Sequence, residues 1–322
     1  MNLRTVIDAV IETPIVTSFT RLGYEARKRL DRWSPLDSYD LSGRVLVLTG
    51  ATSGIGHAAA RQIATCGATL VIVGRDADRN QRVVEELIQA TGNDRITHVP
   101  ADMGDLGAVR DLARHVLAEH DRLDVLIHNA GALTAQRHVT SDGIEATVAS
   151  QVVGPFLLTT LLLERLAASA PARVLTMSSG GMYASALEVS HLEMSAAEYN
   201  GTAQYARAKR AQVTLNEMWA ERFGDRGIHF HAVHPGWADT PGVDASLPTF
   251  SRLMGPLLRT PAQGADTMVW LAAADEPLQS NGRFWLDRRQ RSIHKLPTTK
   301  RTDTPARRQQ LWDRVTELIG GV

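Results

Sequence analysis

The residues of this chain best suited to chemistry are a tyrosine and a lysine four positions apart. Tyr205 and Lys209 lie in a helical pattern over residues 203–223, where residues at this spacing share one face. A phenol has an unperturbed pKa of about 10, and a nearby ammonium lowers that pKa by favouring the phenolate. The spacing therefore predicts a phenol that exchanges a proton near neutral pH. A solvated pair is the alternative, because Y-x-x-x-K occurs by chance in many helices.

A glycine-rich stretch has the composition of a phosphate-binding turn. It joins an apolar strand pattern to a helical one and runs Thr49-Gly50-Ala51-Thr52-Ser53-Gly54-Ile55-Gly56. Gly50 permits a sharp exit from the strand, Gly54 lets the backbone approach a pyrophosphate, and Gly56 lets helix and strand pack closely. The first N–H groups of the helix would face the phosphates, and we expect the residues between the glycines to line the cofactor. Any tight strand–helix turn needs glycines, but the T-G-x-x-x-G-x-G spacing is more specific.

The residues after the second predicted strand bear on the choice of dinucleotide. Arg75 and then Asp76 follow this strand. A carboxylate at this place accepts a hydrogen bond from the ribose 2′-OH, whereas an arginine offers a planar, permanently charged fork to a 2′-phosphate. Because Arg75 comes first, the sequence favours NADP over NAD. The alternative is a solvated Arg75 beside an Asp76 that caps the next helix.

Polar and small residues also follow the next three predicted strands. Asp102 and Met103 follow the third strand, where a carboxylate could accept from an adenine amino group or merely cap a helix. Residues 129–131 follow the fourth strand and are small enough for close approach to a cofactor, although a generic turn also uses Asn and Gly. Ser179 follows the fifth strand, where its hydroxyl could hold a substrate oxygen and stabilise the charge that develops during hydride transfer.

Strand and helix patterns alternate from Arg44 onward. The predicted strands are Arg44–Leu48, Thr69–Val73, Ile96–Val99, Val125–His128, Arg173–Met177, His229–His234 and Arg283–Leu286. This alternation predicts an α/β fold, a single Rossmann domain with a doubly wound, mostly parallel, seven-stranded sheet. Its ligands should bind beyond the carboxyl ends of the strands, at a switch point. We divide the chain into an N-terminal arm (1–42), the Rossmann domain (43–287) and a basic C-terminal extension with a helix (288–322).

Composition narrows the function classes. Lys and Arg together number 35, as do Asp and Glu, so the whole chain offers no electrostatic case for nucleic acid. The single cysteine, Cys66, excludes an internal disulfide and fits a reducing, cytoplasmic compartment. We expect neither a signal peptide nor an apolar stretch long enough to span a bilayer.

The arm and the extension lie outside the alternating pattern and could contact the domain, a second subunit or a membrane. A helical apolar stripe in the arm comprises Leu3, Val6, Ile7, Val10 and Ile11. We favour an arm that packs on the domain or on a neighbouring subunit of a homo-oligomer. The alternative is peripheral contact with a membrane surface, with Trp33 and nearby basic residues at the headgroups. That alternative is weakened by four carboxylates, Asp8, Glu12, Glu25 and Asp31. The basic run after Leu286 is expected to be solvated.

Together these motifs resemble the short-chain dehydrogenase/reductase superfamily, in its shorter, classical branch. The resemblance spans residues 43–286 and is carried by Thr49-Gly50…Gly54-Ile55-Gly56, Asn129-Ala130-Gly131, Ser179, Tyr205…Lys209 and Pro235-Gly236. Longer segments are similar to the dehydrogenase/reductase member 12 group and the related retinol-dehydrogenase-like reductases; these segments are 178–182, 205–210 and 234–243.

The resemblance implies a role for each matching position. Tyr205 would be the acid/base, Lys209 the charge that lowers its pKa and a ribose ligand, and Ser179 the ligand of the substrate oxygen. Residues 129–131 would line the cofactor, and Asp102 would meet the adenine. The nicotinamide would be bordered by Pro235, Gly236 and Thr240.

One position departs from the family pattern. The family usually has an asparagine three residues before a glycine in the helix after the fourth strand, where it holds a local backbone distortion and a water that leads protons to the lysine. Gln151 occupies this place before Gly154. The extra methylene could re-aim its hydrogen bonds by about an ångström, a displacement that can lower a rate about a hundredfold. Both a working and an altered proton path stay open.

Histidines and a long connection complete the candidates. His229 and His231 would share a strand face while His234 points the other way, and no carboxylate or cysteine cluster accompanies them, so we predict no metal site. Residues 237–260 form a long connection with many apolar residues, typical of a lid over a hydrophobic substrate, with ordinary packing as the alternative.

The sequence thus favours an NADP-dependent oxidoreductase that interconverts an alcohol and a carbonyl on a small-to-medium hydrophobic substrate. A nucleotide-binding regulatory or scaffold protein with little turnover is the alternative, and it is motivated by Gln151.

Overall fold

One sheet organises the chain in the computed structural model, which describes residues 3–240 and 248–320. Its strands are β1 (Val45–Thr49), β2 (Thr69–Gly74), β3 (Ile96–Pro100), β4 (Val125–His128), β5 (Ala172–Met177), β6 (Ile228–Val233), β7 (Arg283–Leu286) and β8 (Arg289–Arg291). The spatial order is β3-β2-β1-β4-β5-β6-β7-β8, and every neighbouring pair is parallel except β7 and β8.

Helices cover both faces of this sheet. They are α1 (Leu3–Glu12), α2 (Ile15–Phe19), α3 (Arg21–Asp31), α4 (Gly54–Thr65), α5 (Ala77–Thr91), α6 (Leu106–Glu119), α7 (Ala146–Ala168), α8 (Gly201–Phe223), α9 (Pro248–Met254), α10 (Pro261–Ala273), α11 (Pro297–Thr302) and α12 (Pro305–Leu318). The strands are apolar on both faces because each face is buried. In β1, Val45 and Val47 join the apolar layer of α6, α7, α8 and α12, whereas Leu46 and Leu48 join that of α4, α5 and α10.

The strand order reverses beside β1. The chain moves outward from β1 to β2 and β3, and then returns to place β4 on the other side of β1. The connections that leave the carboxyl ends of β1 and β4 therefore run in opposite directions and open a crevice between them, which is where open parallel sheets bind ligands.

The predicted strands are confirmed to within one residue at each end, but the expected total of seven was wrong by one. Asp287 and Arg288 take left-handed φ angles of 54° and 53°, which turn the chain back so that β8 pairs antiparallel with β7. This turn contains no glycine and β8 is entirely polar, so no turn signal or apolar pattern marked it. The sheet consequently continues past residue 287, where the sequence analysis ended the domain.

Helix α7 is the most apolar helix of the core by composition. By length and hydropathy it could cross a membrane, which the sequence analysis did not expect. However, 78% of its apolar window is buried inside the protein, against α6, α8 and the sheet. We therefore assign it to the core of the domain.

The N-terminal arm is fixed to the domain by a buried ionic cluster, which we call the arm cluster (Asp8, Glu12, Arg27, Arg259 and Asp287). Arg27 of α3 donates hydrogen bonds to Asp8 at 2.9 Å and to Asp287 at 2.7 Å. Arg259 donates to the other Asp287 oxygen at 2.6 Å, and neither Arg27 nor Asp287 is exposed. Although burial alone raises the pKa of Asp287, the charges and hydrogen bonds of Arg259 and Arg27 hold that pKa below its usual value. The arm thus packs on the domain, as we favoured.

The basic extension supplies further partners of the arm. Arg289 bonds Asp31 at 2.6 Å, Arg291 bonds Asp8 at 2.7 Å, and Lys295 bonds Glu12. Burial raises the pKa of Asp8, but Arg291 and Arg27 outweigh it and lower the pKa to about 2. The expectation of a solvated basic run was therefore wrong for these three cations, because the carboxylates that pair with them lie far away in sequence.

Substitution of Arg27 by Met should destabilise the fold strongly. The change leaves Asp8 and Asp287 with fewer counter-charges in a buried place, and breaking a buried pair in this way typically lowers the free energy of unfolding by about 3–5 kcal/mol. The matched control is Arg29→Met on the exposed side of the same helix, for which a change within about 0.5 kcal/mol is expected. Urea denaturation of both variants makes the measurement, and equal midpoints would refute a structural role for the arm cluster.

Candidate active site

The glycine turn between β1 and α4 is closely packed against the end of β4. Gly50 has a φ of +68°, and a Cβ at this position would lie 2.7 Å from the Cα of Ala130. A Cβ on Gly56 would overlap the carbonyl oxygen of Gly50, and Gly54 has a φ of +52°. Each glycine is therefore required by backbone geometry, in the roles the sequence predicted for Gly50 and Gly56.

The turn leaves the start of α4 open to an anion. Ser53 precedes the helix, but its side chain makes no capping hydrogen bond. The first-turn N–H groups, which no intrahelical carbonyl can satisfy, are thus free of a side-chain cap. Thr52 and Ser53 lie on the turn itself, with the Ser53 side chain exposed, and Ile55 is half-buried in the first turn. These donors and the partial positive charge of a helix N-terminus fit a pyrophosphate.

A hydrogen-bonded latch joins the ends of β1 and β4. The hydroxyl of Thr49 accepts from the backbone N–H of Asn129 at 3.0 Å and of Ala130 at 3.1 Å. The side-chain amide of Asn129 donates to the carbonyl oxygens of Thr49 and Gly50, both at 3.1 Å. The Asn129 side chain therefore holds the crevice together, and lining of the crevice falls to the backbone of 129–131. Sequence reasoning missed the role of Thr49.

The structure separates the roles of the two charged residues after β2. Asp76 caps α5, because its side chain accepts from the N–H of Arg79 at 2.9 Å. Arg75 is exposed and makes no hydrogen bond or ion pair to any described residue. The guanidinium of Arg79 donates to the carbonyl oxygen of Thr52 at 3.1 Å, which brings a second cation beside the glycine turn. Arg79, in the first turn of α5, was not predicted.

Arg75 and Asp102 line one open cleft of about 320 Å³. Asp102 is exposed, and one of its carboxylate oxygens accepts from the N–H of Gly104 at 2.8 Å. Met103, which was predicted to bind the cofactor, is not among the residues that line this cleft, because its side chain is buried in the core. Ala132 and Ser150 close the far wall of the cleft.

Tyr205, Lys209 and Ser179 come together as the sequence predicted. Helix α8 begins after Asn200, whose side chain accepts from the N–H of Ala203 and so caps the turn before Tyr205. The Lys209 nitrogen lies 5.3 Å from the centre of the Tyr205 ring and donates to the carbonyl oxygen of Met177 at 2.8 Å. Met177 ends β5, so the strand end that presents Ser179 also anchors the lysine.

The protonation of this pair differs from the prediction. Burial raises the pKa of Tyr205, and a hydrogen bond with the Ser179 side chain opposes this rise only in part. Burial also lowers the pKa of Lys209 to about 7. The expected lowering of the phenol pKa was therefore wrong, because both groups lose water and the lysine directs its charge at a carbonyl oxygen.

Gln151 lies in a distorted turn of α7. Residues Ala149–Val153 form one turn of π-helix, so the backbone distortion expected for an asparagine is present with glutamine. The Gln151 side-chain amide donates to the carbonyl oxygen of Ala132 at 2.8 Å, and its backbone carbonyl oxygen accepts from the Gln212 amide at 2.6 Å. Gln212 was missed by sequence reasoning, although it lies three residues after Lys209 and thus on the same helix face.

The loop after β6 is held by a residue from a distant segment. Gly236 has a φ of +75°, and the Arg259 guanidinium fills the space that a Cβ would need. Arg259 also donates to the carbonyl oxygen of Pro235 at 3.3 Å. Thr240 is half-buried at the end of this loop and has its own contacts. Of the predicted lid over 237–260, residues 241–247 lie outside the described residues, and α9 follows them.

The arm reaches the same loop. The carbonyl oxygen of Phe19 accepts from the N–H of Trp237 at 2.7 Å, and the Phe19 ring lies 4.3 Å from that of His234. A Cβ on Gly180 would lie 2.9 Å from the Phe19 ring. Phe19 therefore walls the site beside Ser179, and no sequence pattern marked it.

The remaining candidates have structural contacts of their own. His229 and His231 lie 3.1 Å from the carbonyl oxygens of Ser280 and Pro277, respectively. Within residues 3–240 and 248–320, no three His, Cys, Asp or Glu side chains are grouped to hold a metal. Burial raises the pKa of the Cys66 thiol to about 11, which fits a packed thiol rather than a nucleophile.

The sequence of this chain is similar to those of known dehydrogenases and reductases. A family model described as short chain dehydrogenase matches residues 44–249. Dehydrogenase/reductase SDR family member 12 of Homo sapiens is 39% identical over 302 residues, which cover 93% of each chain. Retinol dehydrogenase 11 of Homo sapiens is 32% identical over 300 residues, 92% of each chain.

Solved structures also match. One is assigned as an NAD(P) dependent gluconate 5-dehydrogenase from Beutenbergia cavernae with bound NADP at low occupancy. It is 25% identical with a TM-score of 0.63, and the match covers 79% of this chain and 97% of that one.

The crevice, the glycine turn and the Ser179–Tyr205–Lys209 group thus occur in a chain whose relatives are dehydrogenases and reductases along nearly its whole length. Such relatives use a nicotinamide dinucleotide, for which the start of α4 supplies a fitting anion site. This chain is an oxidoreductase that belongs to the short-chain dehydrogenase/reductase family, in the group that contains dehydrogenase/reductase member 12 and the retinol dehydrogenases.

Proposed function

We propose that the protein is an NADP-dependent oxidoreductase that interconverts an alcohol and a carbonyl on a small-to-medium hydrophobic molecule, with Tyr205 as the group that exchanges the proton. The observation that carries this proposal is the convergence of Tyr205, Lys209 and Ser179 at the carboxyl end of β5, close to the crevice beside β1. When bound, the nicotinamide supplies the hydride chemistry, and the protein supplies orientation and proton transfer.

The protonation of Tyr205 suits the donation of a proton to a carbonyl oxygen. Because its pKa is raised by burial, the Tyr205 hydroxyl keeps its proton at neutral pH and can donate it to a carbonyl oxygen. The Ser179 side chain lowers the pKa of the same phenol, and its hydroxyl can orient that oxygen. Lys209, with a pKa of about 7, is close to half-protonated at neutral pH and can restore a proton on this side of the site.

Arg75 supports NADP as the cofactor. Its guanidinium has no partner among the described residues, whereas the carboxylate that would select NAD is engaged in capping α5. Arg79 adds a second positive charge beside the glycine turn. Two cations and an engaged carboxylate form an environment that stabilises a 2′-phosphate.

The walls near Ser179 support a hydrophobic substrate. Phe19 packs against Tyr183, His234 and Trp237, with ring centres 6.5, 4.3 and 5.8 Å apart. Burial lowers the pKa of His234 to about 3, so this ring is neutral at physiological pH. Apart from Lys295, whose nitrogen lies 5.3 Å from the centre of the Phe19 ring, these packed rings and the neutral imidazole make this side of the site apolar, which supports a hydrophobic substrate.

One observation favours a second candidate, a nucleotide-binding regulatory protein with little turnover. The backbone carbonyl oxygen of Gln151 is engaged by Gln212, and the side-chain amide of Gln151 by Ala132. These contacts tie Gln151 to the crevice wall and to Gln212 rather than to Lys209, which motivates the second candidate. We retain oxidoreduction as the main proposal because Tyr205, Ser179 and Lys209 are in place.

Replacement of Tyr205 by Phe should lower kcat for carbonyl reduction by about 10²–10⁴-fold, because the phenol proton is lost while the ring is kept. The dissociation constant for NADPH should change less than about threefold, since the glycine turn is untouched. Tyr39→Phe, in a half-buried tyrosine away from the site, is the matched control and should leave turnover unchanged. Steady-state assays over a panel of aldehydes and ketones make the measurement. Equal turnover by the Tyr205→Phe variant and wild type would refute the proton-transfer role, and NADPH binding without Tyr205-dependent turnover would favour the second candidate.

Substitution of Arg75 by Ala should weaken NADPH binding about 10–100-fold and leave NADH binding nearly unchanged. A charge-assisted hydrogen bond to phosphate is worth about 1.5–3 kcal/mol, and only NADPH carries the 2′-phosphate. Arg82→Ala, an exposed arginine on α5, serves as the control for a general change in charge. Fluorescence titration with both dinucleotides measures the effect, and equal losses for the two would show that the 2′-phosphate argument is wrong.

The low pKa of Lys209 should be visible in the pH dependence of stability. The folded-state pKa of about 7 lies below the unfolded value of about 10.4, so between these limits the unfolded chain binds more protons and stability rises with pH. Lys209→Met removes this contribution. The difference in unfolding free energy, wild type minus variant, should therefore increase by about 2–4 kcal/mol from pH 7 to pH 10. Urea denaturation of the cofactor-free proteins at several pH values tests this, and parallel curves would contradict a buried, depressed Lys209.

A further inference from the structure

The segment after Ser179 forms a short helical turn, which we call the serine turn (Gly180–Ala184). The N–H of Met182 donates to the backbone carbonyl oxygen of Ser179 at 3.2 Å. The N–H of Gly181 donates to the Ser179 hydroxyl oxygen at 3.3 Å. Because the hydroxyl accepts this bond, its own proton is directed away from the turn. The conformation of the serine turn therefore sets the direction in which Ser179 donates.

Arg210 of α8 holds the far end of the serine turn. Its Nη2 donates to the carbonyl oxygen of Met182 at 2.7 Å, and its Nε donates to the carbonyl oxygen of Ser185 at 3.1 Å. The guanidinium is planar and rigid, so two bonds from it to two carbonyl oxygens fix both the distance and the orientation of the turn.

Lys209, the residue before Arg210, provides a matching anchor on the other side of Ser179. Its ammonium donates to the carbonyl oxygen of Met177 at 2.8 Å. Two adjacent residues of α8 thus hold the backbone before and after Ser179, and the same helix carries Tyr205. The position of the Ser179 hydroxyl relative to the phenol is therefore set by how this helix holds the serine turn.

Arg210 is buried at a cost in free energy. Its side chain is fully buried, and burial lowers its pKa. The carboxylates that oppose this effect, Asp303 and Glu217, are paired with Arg308 instead. The Nη1 of Arg210 has no hydrogen-bond partner in the described part of the chain. An apolar side chain of similar size would avoid this cost, so the two bonds to the serine turn are what distinguishes an arginine here.

We infer that Arg210 is a positioning residue for the proposed reaction: it holds the serine turn against α8, so that the Ser179 hydroxyl stays aligned with the Tyr205 phenol and the substrate oxygen. The inference rests on the proposed function, which gives Ser179 and Tyr205 their roles. Arg210 acts through the backbone of the turn rather than on the reacting atoms. A displacement of Ser179 by about an ångström is enough to lower a rate about a hundredfold.

Steady-state reduction of a carbonyl substrate with NADPH tests this role. Arg210→Met keeps an unbranched side chain and removes both donors, so kcat should fall about 10–100-fold while the dissociation constant for NADPH changes less than about threefold. Arg210→Lys keeps a charged donor and should lose only about 3–10-fold in kcat. The matched control is Arg207→Met on the same helix, which removes a bond to the carbonyl oxygen of His191 outside the serine turn and should leave kcat within about threefold of wild type.

A double-mutant cycle with Ser179→Ala separates positioning from general support of the fold. Without the serine hydroxyl there is nothing left for Arg210 to align, so Arg210→Met should lower kcat by less than about threefold in this background. Equal losses of kcat in both backgrounds would overturn the inference, as would wild-type kcat in the Arg210→Met single variant. If Arg210→Met does not fold, Arg210→Lys carries the same cycle, and its smaller loss should vanish in the Ser179→Ala background.

Amide hydrogen exchange of the purified proteins reports on the serine turn without an activity assay. The amides of Gly181, Met182 and Ser185 donate hydrogen bonds within or at the end of this turn. Arg210→Met should accelerate their exchange on the order of tenfold and leave the amides of α8 unchanged. Unchanged exchange in the turn would also overturn the inference. Absence of NADPH-dependent turnover in wild type would instead refute the proposed function, so the two failures are distinguished.

Discussion

The whole site depends on the close approach of the carboxyl ends of β1 and β4. Thr49 and Asn129 hold these two strand ends together through four hydrogen bonds between 3.0 and 3.1 Å. Because Gly50 has no Cβ, its backbone can pass next to Ala130. A bulkier residue on either side would push the turn away from the crevice, and the start of α4 would no longer point its N–H groups there. The position of the glycine turn and of the start of α4, where a dinucleotide would bind, is therefore set by backbone packing rather than by side-chain chemistry.

A second constraint couples the arm to the other side of the site. Asp287 sits between Arg27 of the arm and Arg259, and Arg259 fills the space next to Gly236 in the loop after β6. A buried ion pair of this kind contributes little net stability, but it is strongly disfavoured when one partner is missing. The arm supplies Arg27 as the second cation beside Asp287, and its residue Phe19 lies next to Gly180 near the site. The N-terminal segment belongs to the active-site architecture although it lies outside the Rossmann pattern.

Sequence patterns predicted the parts of this structure that rest on periodicity and chain topology. Buried parallel strands are continuous apolar runs, so their ends could be placed within one residue, and residues after strand ends meet at one edge by topology. The ion pair of Arg27 with Asp287 joins residues 260 positions apart and leaves no periodic signal. The polar strand β8 was not predicted for a related reason, since it is defined by its turn and its pairing with β7 rather than by an apolar pattern. The pKa of Tyr205 was mispredicted because spacing reveals a neighbouring charge but not the loss of water around both groups.

Glutamine at position 151, where the family usually has asparagine, makes its own set of hydrogen bonds while the backbone keeps the expected distortion. Glutamine retains the π-helical turn, and its longer side chain spans to the carbonyl oxygen of Ala132 in the crevice wall. Pro155, four residues after Gln151, has no N–H to donate to the Gln151 backbone carbonyl oxygen, and the Gln212 amide donates to it from the helix that carries Lys209. Two amide side chains thus tie α7, α8 and the crevice wall into one unit. Since Lys209 is desolvated in the same helix, a rigid polar connection at this point helps to fix the position of its charge relative to the phenol, as the proposed proton transfer at Tyr205 would require.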